Sequence, residues 1–207
     1  GIYGSYVWGY FDKKKSDYDV FLIFNSKLEN EGEMLMQLFK RITVQYFCTK
    51  KELMDLIKEG HWSTYITFIK SARMLYYSKN YGGFIDKLKK IDFVKNLKNF
   101  DRIKWKAKFN IDVIKRGKGY DGAKYALPAL RSRLQLLTYI KYRKLVWDLP
   151  NVIKLNKNFL TNKEQRFLVQ LDKSVRERKN NFPNKKMAIN LSDKINRKIL
   201  SLLMPTS

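Results

Sequence analysis

Asp17 and Asp19 stand two positions apart at the head of the apolar run Val20–Phe24, within GSYVWGYFDKKKSDYDVFLIF. Two like charges at the mouth of a buried strand repel, and each resists losing water, so something of opposite sign has to compensate them. Residues two apart on a strand share a face. A carboxylate pair on one face is a hard oxygen site suited to Mg²⁺ or Mn²⁺. Such an ion can hold a triphosphate and stabilise both attacking and leaving oxygens. Gly4 and Ser5 lie upstream. A glycine there lets a phosphate approach the main chain, and the hydroxyl and amides can bind it. Asp17 and Asp19 are therefore the candidate metal ligands and catalytic residues, and Gly4 and Ser5 the candidate nucleotide-phosphate contacts.

A second set of residues suits a different task. Arg102, Lys104, Trp105, Lys106 and Lys108 interleave cations with an aromatic ring, and Tyr139–Lys144 repeats the mixture with Lys141, Arg143 and Lys144. Arg131 and Arg133 precede that second group. Cations suit phosphate contacts and rings suit base or sugar stacking. Other chemistries fit less well. Ser5 is not in a G-x-S-x-G turn, and His61 is the only histidine that could serve it as base. Cys48 lies inside an apolar stretch and reads as core. Gly117-Lys118-Gly119 lacks the Lys-Ser/Thr ending of a phosphate-binding loop.

The elements that must position these residues follow from pattern. Ile2–Gly4 reads as the end of a short strand, Asp17–Phe24 as a central strand and Ile42–Cys48 as a second core strand. The spacing of Met34, Leu35, Leu38 and Phe39 predicts a helix over Glu33–Arg41. Thr49 with Glu52 is a capping box that opens another helix, and Met74–Tyr77 reads as a short strand. After Gly82-Gly83 the pattern turns helical. A basic amphipathic helix is predicted over Phe84–Asn99. A long helix is predicted over Ala123–Val146, with Pro128 in its first turn and Leu127, Leu130, Leu134 and Leu137 on one side. A helix opens at the Thr161/Glu164 capping box, and a last one is predicted over Asp193–Leu203, capped by Ser192.

Composition bounds the partners. The 207 residues carry 43 Lys/Arg against 19 Asp/Glu, a net charge of +24. Residues 1–100 hold 17 Lys/Arg and 11 Asp/Glu (+6), whereas residues 101–207 hold 26 and 8 (+18). A field of that size attracts nucleic acid. RNA is preferred to DNA, because its unpaired loops and ends offer bases for stacking. A membrane surface fits less well, since the charge is spread over many helices and not along one amphipathic face. One cysteine excludes an internal disulfide and points to a reducing, cytoplasmic setting. No run approaches the ~20 apolar residues of a spanning helix, and no signal peptide is read.

Gly4-Ser5, then Gly9, then Ser16-Asp17-Tyr18-Asp19 before an apolar strand resembles the signature of the DNA polymerase beta-like nucleotidyltransferase superfamily, nearest to the prokaryotic minimal nucleotidyltransferases. VQYFCTKKEL is similar to that family's third strand and following helix, and MLYYS to the strand near its domain end. The resemblance implies an α+β fold: a small mixed-sheet, palm-like core over residues 1–82, followed by a basic all-helical domain over residues 83–207. It implies Mg²⁺ (or Mn²⁺) on Asp17 and Asp19, and nucleoside triphosphate phosphates on Gly4 and Ser5. The family's third carboxylate falls near Gln45, which is neither a metal ligand nor a base. Tyr6, Val7 and Trp8 replace the family's usual small and basic residues, and the loop before Asp17 is about one residue longer. The helical partners of minimal nucleotidyltransferases often carry an Arg-x-His RNase motif, and the second half has no histidine.

Two readings stay open. In one, the chain moves a nucleoside monophosphate from a triphosphate to an RNA end or a protein hydroxyl. In the other, the fold has lost its chemistry and serves as a structural RNA-binding component of a larger ribonucleoprotein.

Overall fold

The computed structural model describes residues 2–3, 18–26, 42–71 and 79–204. Among the described residues the strands are β1 (Ile2–Tyr3), β2 (Tyr18–Phe24) and β3 (Ile42–Thr49). They form one mixed sheet in the order β1-β2-β3, with β1 antiparallel and β3 parallel to β2. β2 is central, as its apolar tail predicts. Phe21 is buried against the edge of Phe68, ring centroids 4.9 Å apart, but Leu22, Ile23 and Phe24 are only half-buried. The predicted helix over 33–41 and strand over 74–77 lie outside the described residues.

Thr49 ends β3 and starts α1 (Lys50–Lys58) by the expected capping box. Its hydroxyl accepts from the Glu52 amide at 3.2 Å, and its own amide donates to the Glu52 carboxylate at 2.7 Å. Two orphan amides are thereby satisfied. Residues 63–73 show no clear period in sequence. Those of them that are described belong to α2 (Trp62–Ile66), which runs on as a π-helical turn over Thr67–Ser71. Trp62, Tyr65 and Phe93 pack ring on ring with centroids 5.2–5.7 Å apart, and the Tyr65 hydroxyl donates to the Ile91 carbonyl. With Leu53, Ile57 and Leu88 they form the first core.

The helix predicted over Phe84–Asn99 is shorter and starts earlier: α3 is Lys79–Lys89. Asp92 stops it from continuing, because its carboxylate accepts from the Val94 and Lys95 amides and holds a turn. The chain divides into two compact units after Lys98, not at Gly82-Gly83, and α3 belongs to the first. The charge partition is untouched, since Asn99 and Phe100 are neutral.

The second unit is all helical among its described residues: α4 (Phe100–Arg116), α5 (Gly119–Tyr142), α6 (Leu149–Leu155), α7 (Asn162–Arg176) and α8 (Lys185–Leu203). Asn99 caps α4, its side chain accepting from the Asp101 and Arg102 amides. α5 is the central helix and touches α4, α6, α7 and α8. Leu127, Leu130, Leu134 and Leu137 are all buried on it, as the pattern predicts. Its ends differ from the prediction. The break before it is only Gly117-Lys118, so Pro128 is an interior residue and not in the first turn. Pro128 and Lys124 are both exposed, so water can reach the Lys124 carbonyl that lost its donor. At the far end Arg143 adopts φ 54° and closes the helix, which leaves Lys144 beyond it. The last helix begins at Lys185, capped by Asn184, whose side chain accepts from the Met187 amide at 3.0 Å. Ser192 is buried mid-helix and caps nothing.

Candidate nucleic-acid interface

α4 presents two stripes. Ile103, Ala107, Asn110 and Ile114 are buried and form its inner face. Arg102, Trp105, Lys106 and Phe109 follow the same i, i+3, i+4, i+7 spacing around the cylinder, yet this stripe faces outward. Trp105 is 50% exposed and Phe109 39% exposed. Their rings stack, centroids 5.2 Å apart and planes 19° from parallel. The Arg102 guanidinium lies 4.5 Å from the Trp105 centroid and the Lys106 ammonium 4.6 Å from that of Phe109. Exposed rings of this size with cations over them are what an unpaired base and its phosphate require. A cation–π contact at an exposed site is worth roughly 0.5–1 kcal/mol, whereas a base stacked on an aromatic ring is worth ~1–3 kcal/mol. A base can therefore displace the guanidinium from the ring and leave it free for a phosphate.

Three of the five residues singled out on this helix, Arg102, Trp105 and Lys106, come together. Lys104 and Lys108 are exposed across the helix from them, and Lys104 pairs with Asp101 at 3.0 Å. Phe109 was not singled out in the sequence. Its spacing of four from Trp105 is the signal that finds it.

The second group behaves differently. Arg131 lies 5.3 Å from the Trp147 ring centroid, Arg143 5.6 Å from that of Tyr139 and Lys141 5.4 Å from that of Tyr142. Lys141, Arg143 and Lys144 are exposed and Arg131 is half-buried. Arg133 is a correction: it is 3% exposed and so is not a surface phosphate contact. It falls three residues after Leu130 on the face α5 turns inward, and that register outweighs its charge. Its Nη2 donates to the Ile103 carbonyl at 3.0 Å. Burial pushes its pKa down to about 10, so it keeps its charge at neutral pH.

Of the other expected site, Gly4, Ser5 and Asp17 lie outside the described residues. The main chain of Asp19 stands in β2 opposite Tyr3 on one side and Thr43 on the other. The β2–β3 register shifts at Gln45, since Val20 faces Val44 and Phe21 faces Tyr46. Gln45 is therefore the extra residue of a bulge in the main-chain register. Among the described residues no three His, Cys, Asp or Glu gather as a metal site, and no helix is long and apolar enough to cross a membrane. No protein-family model matches the chain, nor does any curated protein or solved structure.

Proposed function

We propose that this protein binds single-stranded RNA on the outward stripe of α4, as part of a chain whose first unit is a nucleotidyltransferase-like fold. The observation that carries the reading is the exposed Trp105–Phe109 stack with Arg102 and Lys106 over its rings. The +18 of residues 101–207 supplies the long-range attraction. RNA is favoured over DNA because unpaired bases are its ordinary means of sequence-specific recognition.

For the first unit, the central position of β2 in a mixed sheet, with Asp19 near its start, supports nucleotidyl transfer. Asp17 and Asp19 would hold Mg²⁺ or Mn²⁺, which supplies charge neutralisation at the triphosphate. Gly4 and Ser5 would contact the phosphates. The acceptor hydroxyl would lose its proton to solvent as its oxygen bonds to the α-phosphorus, the α–β bridging bond breaks and pyrophosphate leaves with that electron pair. Gln45 favours the second reading, a chemically silent fold retained as an RNA-binding component of a larger ribonucleoprotein, because it offers neither a third ligand nor a base.

Incubation with each radiolabelled nucleoside triphosphate, Mg²⁺ or Mn²⁺ and total RNA separates the two. Label on RNA or protein that vanishes in Asp17→Asn/Asp19→Asn, with RNA binding intact, establishes transfer. No label from any triphosphate, with tight RNA binding, establishes the silent component. Trp105→Ala is expected to lower RNA affinity by roughly tenfold or more, given ~1–3 kcal/mol per stacked base. An unchanged affinity would sink the α4 interface.

A further inference from the structure

Two basic segments meet where α4 gives way to α5. Gly117-Lys118 joins the two helices, and the segment that follows α7 lies against that turn. The Tyr120 amide donates to Asn180 Oδ1 at 3.5 Å, and a Cβ on Gly122 would meet the Phe182 ring at 2.8 Å. Lys115, Arg116 and Lys118 stand next to the first side of this contact, and Arg178 and Lys186 next to the second. All five are exposed. None of them pairs with a carboxylate among the described residues. Glu177 is held by Lys179 at 2.8 Å and Asp172 by Arg176 at 2.8 Å, while the exposed Asp121 offsets one charge. Arg178 also carries backbone strain. It closes α7 at φ 53°, a left-handed position that ordinarily takes glycine. Gathered like charges and a strained arginine both work against the fold, and an anion lying across them would offset the first cost.

We infer that the RNA strand stacked on Trp105 and Phe109 continues along α4 and lays its phosphodiester backbone across this basic end, on Arg116, Lys118, Arg178 and Lys186. This rests on the RNA-binding reading and deepens it, by giving the strand a direction and a second contact region. The outward face of α4 leads there. Arg116 follows Phe109 by seven residues and Trp105 by eleven, so it lies on their stripe. Three helical turns separate it from Trp105, about 16 Å along the axis at 1.5 Å per residue. Its Nε donates to the Asp112 carbonyl at 3.3 Å, which occupies one of five N–H donors. Exposed cations drawn from two segments suit a backbone that presents one charge per nucleotide, and such contacts position a strand without reading its bases.

The test titrates the full chain with fluorescent decauridylate at several salt concentrations. Arg178→Gly/Lys186→Gln should weaken binding about fivefold or more at low salt and flatten the plot of log affinity against log salt by about 1.4, which is two lost phosphate contacts at ~0.7 each for a single strand. Lys154→Gln/Lys157→Gln removes the same charge from exposed positions near the other end of α5, where Asn156 donates to the Thr138 hydroxyl at 2.7 Å. That variant should keep the wild-type slope. Arg178→Gly alone should hold or raise the midpoint of a urea melt, because glycine accepts the left-handed position, so its loss of affinity is not a loss of fold. If the midpoint falls instead, Lys186→Gln decides, with half the change in slope. Equal effects of the two double variants overturn the basic-end contact and leave only the general field of the unit. An unchanged affinity in Arg178→Gly/Lys186→Gln overturns it too. No binding of decauridylate by the wild type overturns the RNA-binding reading and this contact with it.

Discussion

Cys48 shows how surroundings decide the chemistry of a single side chain. Burial, then the Glu52 carboxylate, push its thiol up to about 11. The folded state holds that proton where an unfolded chain would release it. The stability it contributes is therefore complete below about pH 9 and is lost as pH rises toward about 11. At pH 7.5 the folded thiol should react with iodoacetamide roughly 100-fold more slowly than in urea-unfolded chain, because only the thiolate attacks. Equal rates by mass spectrometry would contradict this. The apolar stretch around Cys48 reads as core, and the fold leaves the side chain half-buried. The grouping of Arg102, Trp105 and Lys106 is legible from residue type alone. Arg133 is not: side-chain chemistry puts it outside, and only the packing of α5 against α4 puts it inside.

At the scale of elements, local hydrogen bonding is the most legible feature. Both Thr–x–x–Glu boxes cap the helices they predict. The second also anchors tertiary structure, since Lys194 donates to the Glu164 carboxylate at 2.8 Å and to the Phe159 carbonyl at 2.9 Å. Burial works to raise the Glu164 carboxyl, but the hydrogen bonds from Lys194 and Thr161 outweigh it and hold it below its ordinary range. This contribution is present above the unfolded carboxyl's value and is lost as pH falls through the depressed one. Glu164→Gln should therefore flatten the acid limb of stability seen in urea melts at several pH values. An unaltered acid limb would show that the pair contributes nothing.

Helix starts set by close backbone contact are less legible. A Cβ on Gly122 would meet the Gly117 carbonyl carbon at 2.7 Å and Phe182 Cδ1 at 2.8 Å. Gly122→Ala should cost ~1–3 kcal/mol in a urea melt, the usual cost of overpacking where main chain cannot yield. Gly83→Ala, whose Cβ would meet nothing within 4 Å, should be neutral or stabilising. A neutral Gly122→Ala would mean the α4–α5 turn tolerates a wider approach.

For the whole molecule, charge is the dominant property. The leucines of α5 point inward while Tyr125 and Tyr142 are exposed, and the cations of the second unit are left at or near the surface, Arg133 excepted. RNA affinity should therefore fall steeply with salt. A protein that contacts six or more phosphates loses roughly 10³-fold or more between about 50 and 200 mM salt. A flat dependence, measured by anisotropy with one oligonucleotide, would remove the nucleic-acid reading itself.

The sequence by itself determined the mixed α+β character, the central apolar strand, the two capping boxes, the inward leucines of α5 and the basic second half. These depend on period, local hydrogen bonding or formal charge, all of which act within a few residues or need no geometry at all. Only the tertiary structure decided that the units divide after Lys98, that Phe109 stacks on Trp105 in the open, that Gln45 sits in a bulge and that Arg133 is buried against the Ile103 carbonyl. Each of these depends on what another element, or another turn of the same helix, brings alongside, and close packing across such contacts overrides the preference of any single side chain.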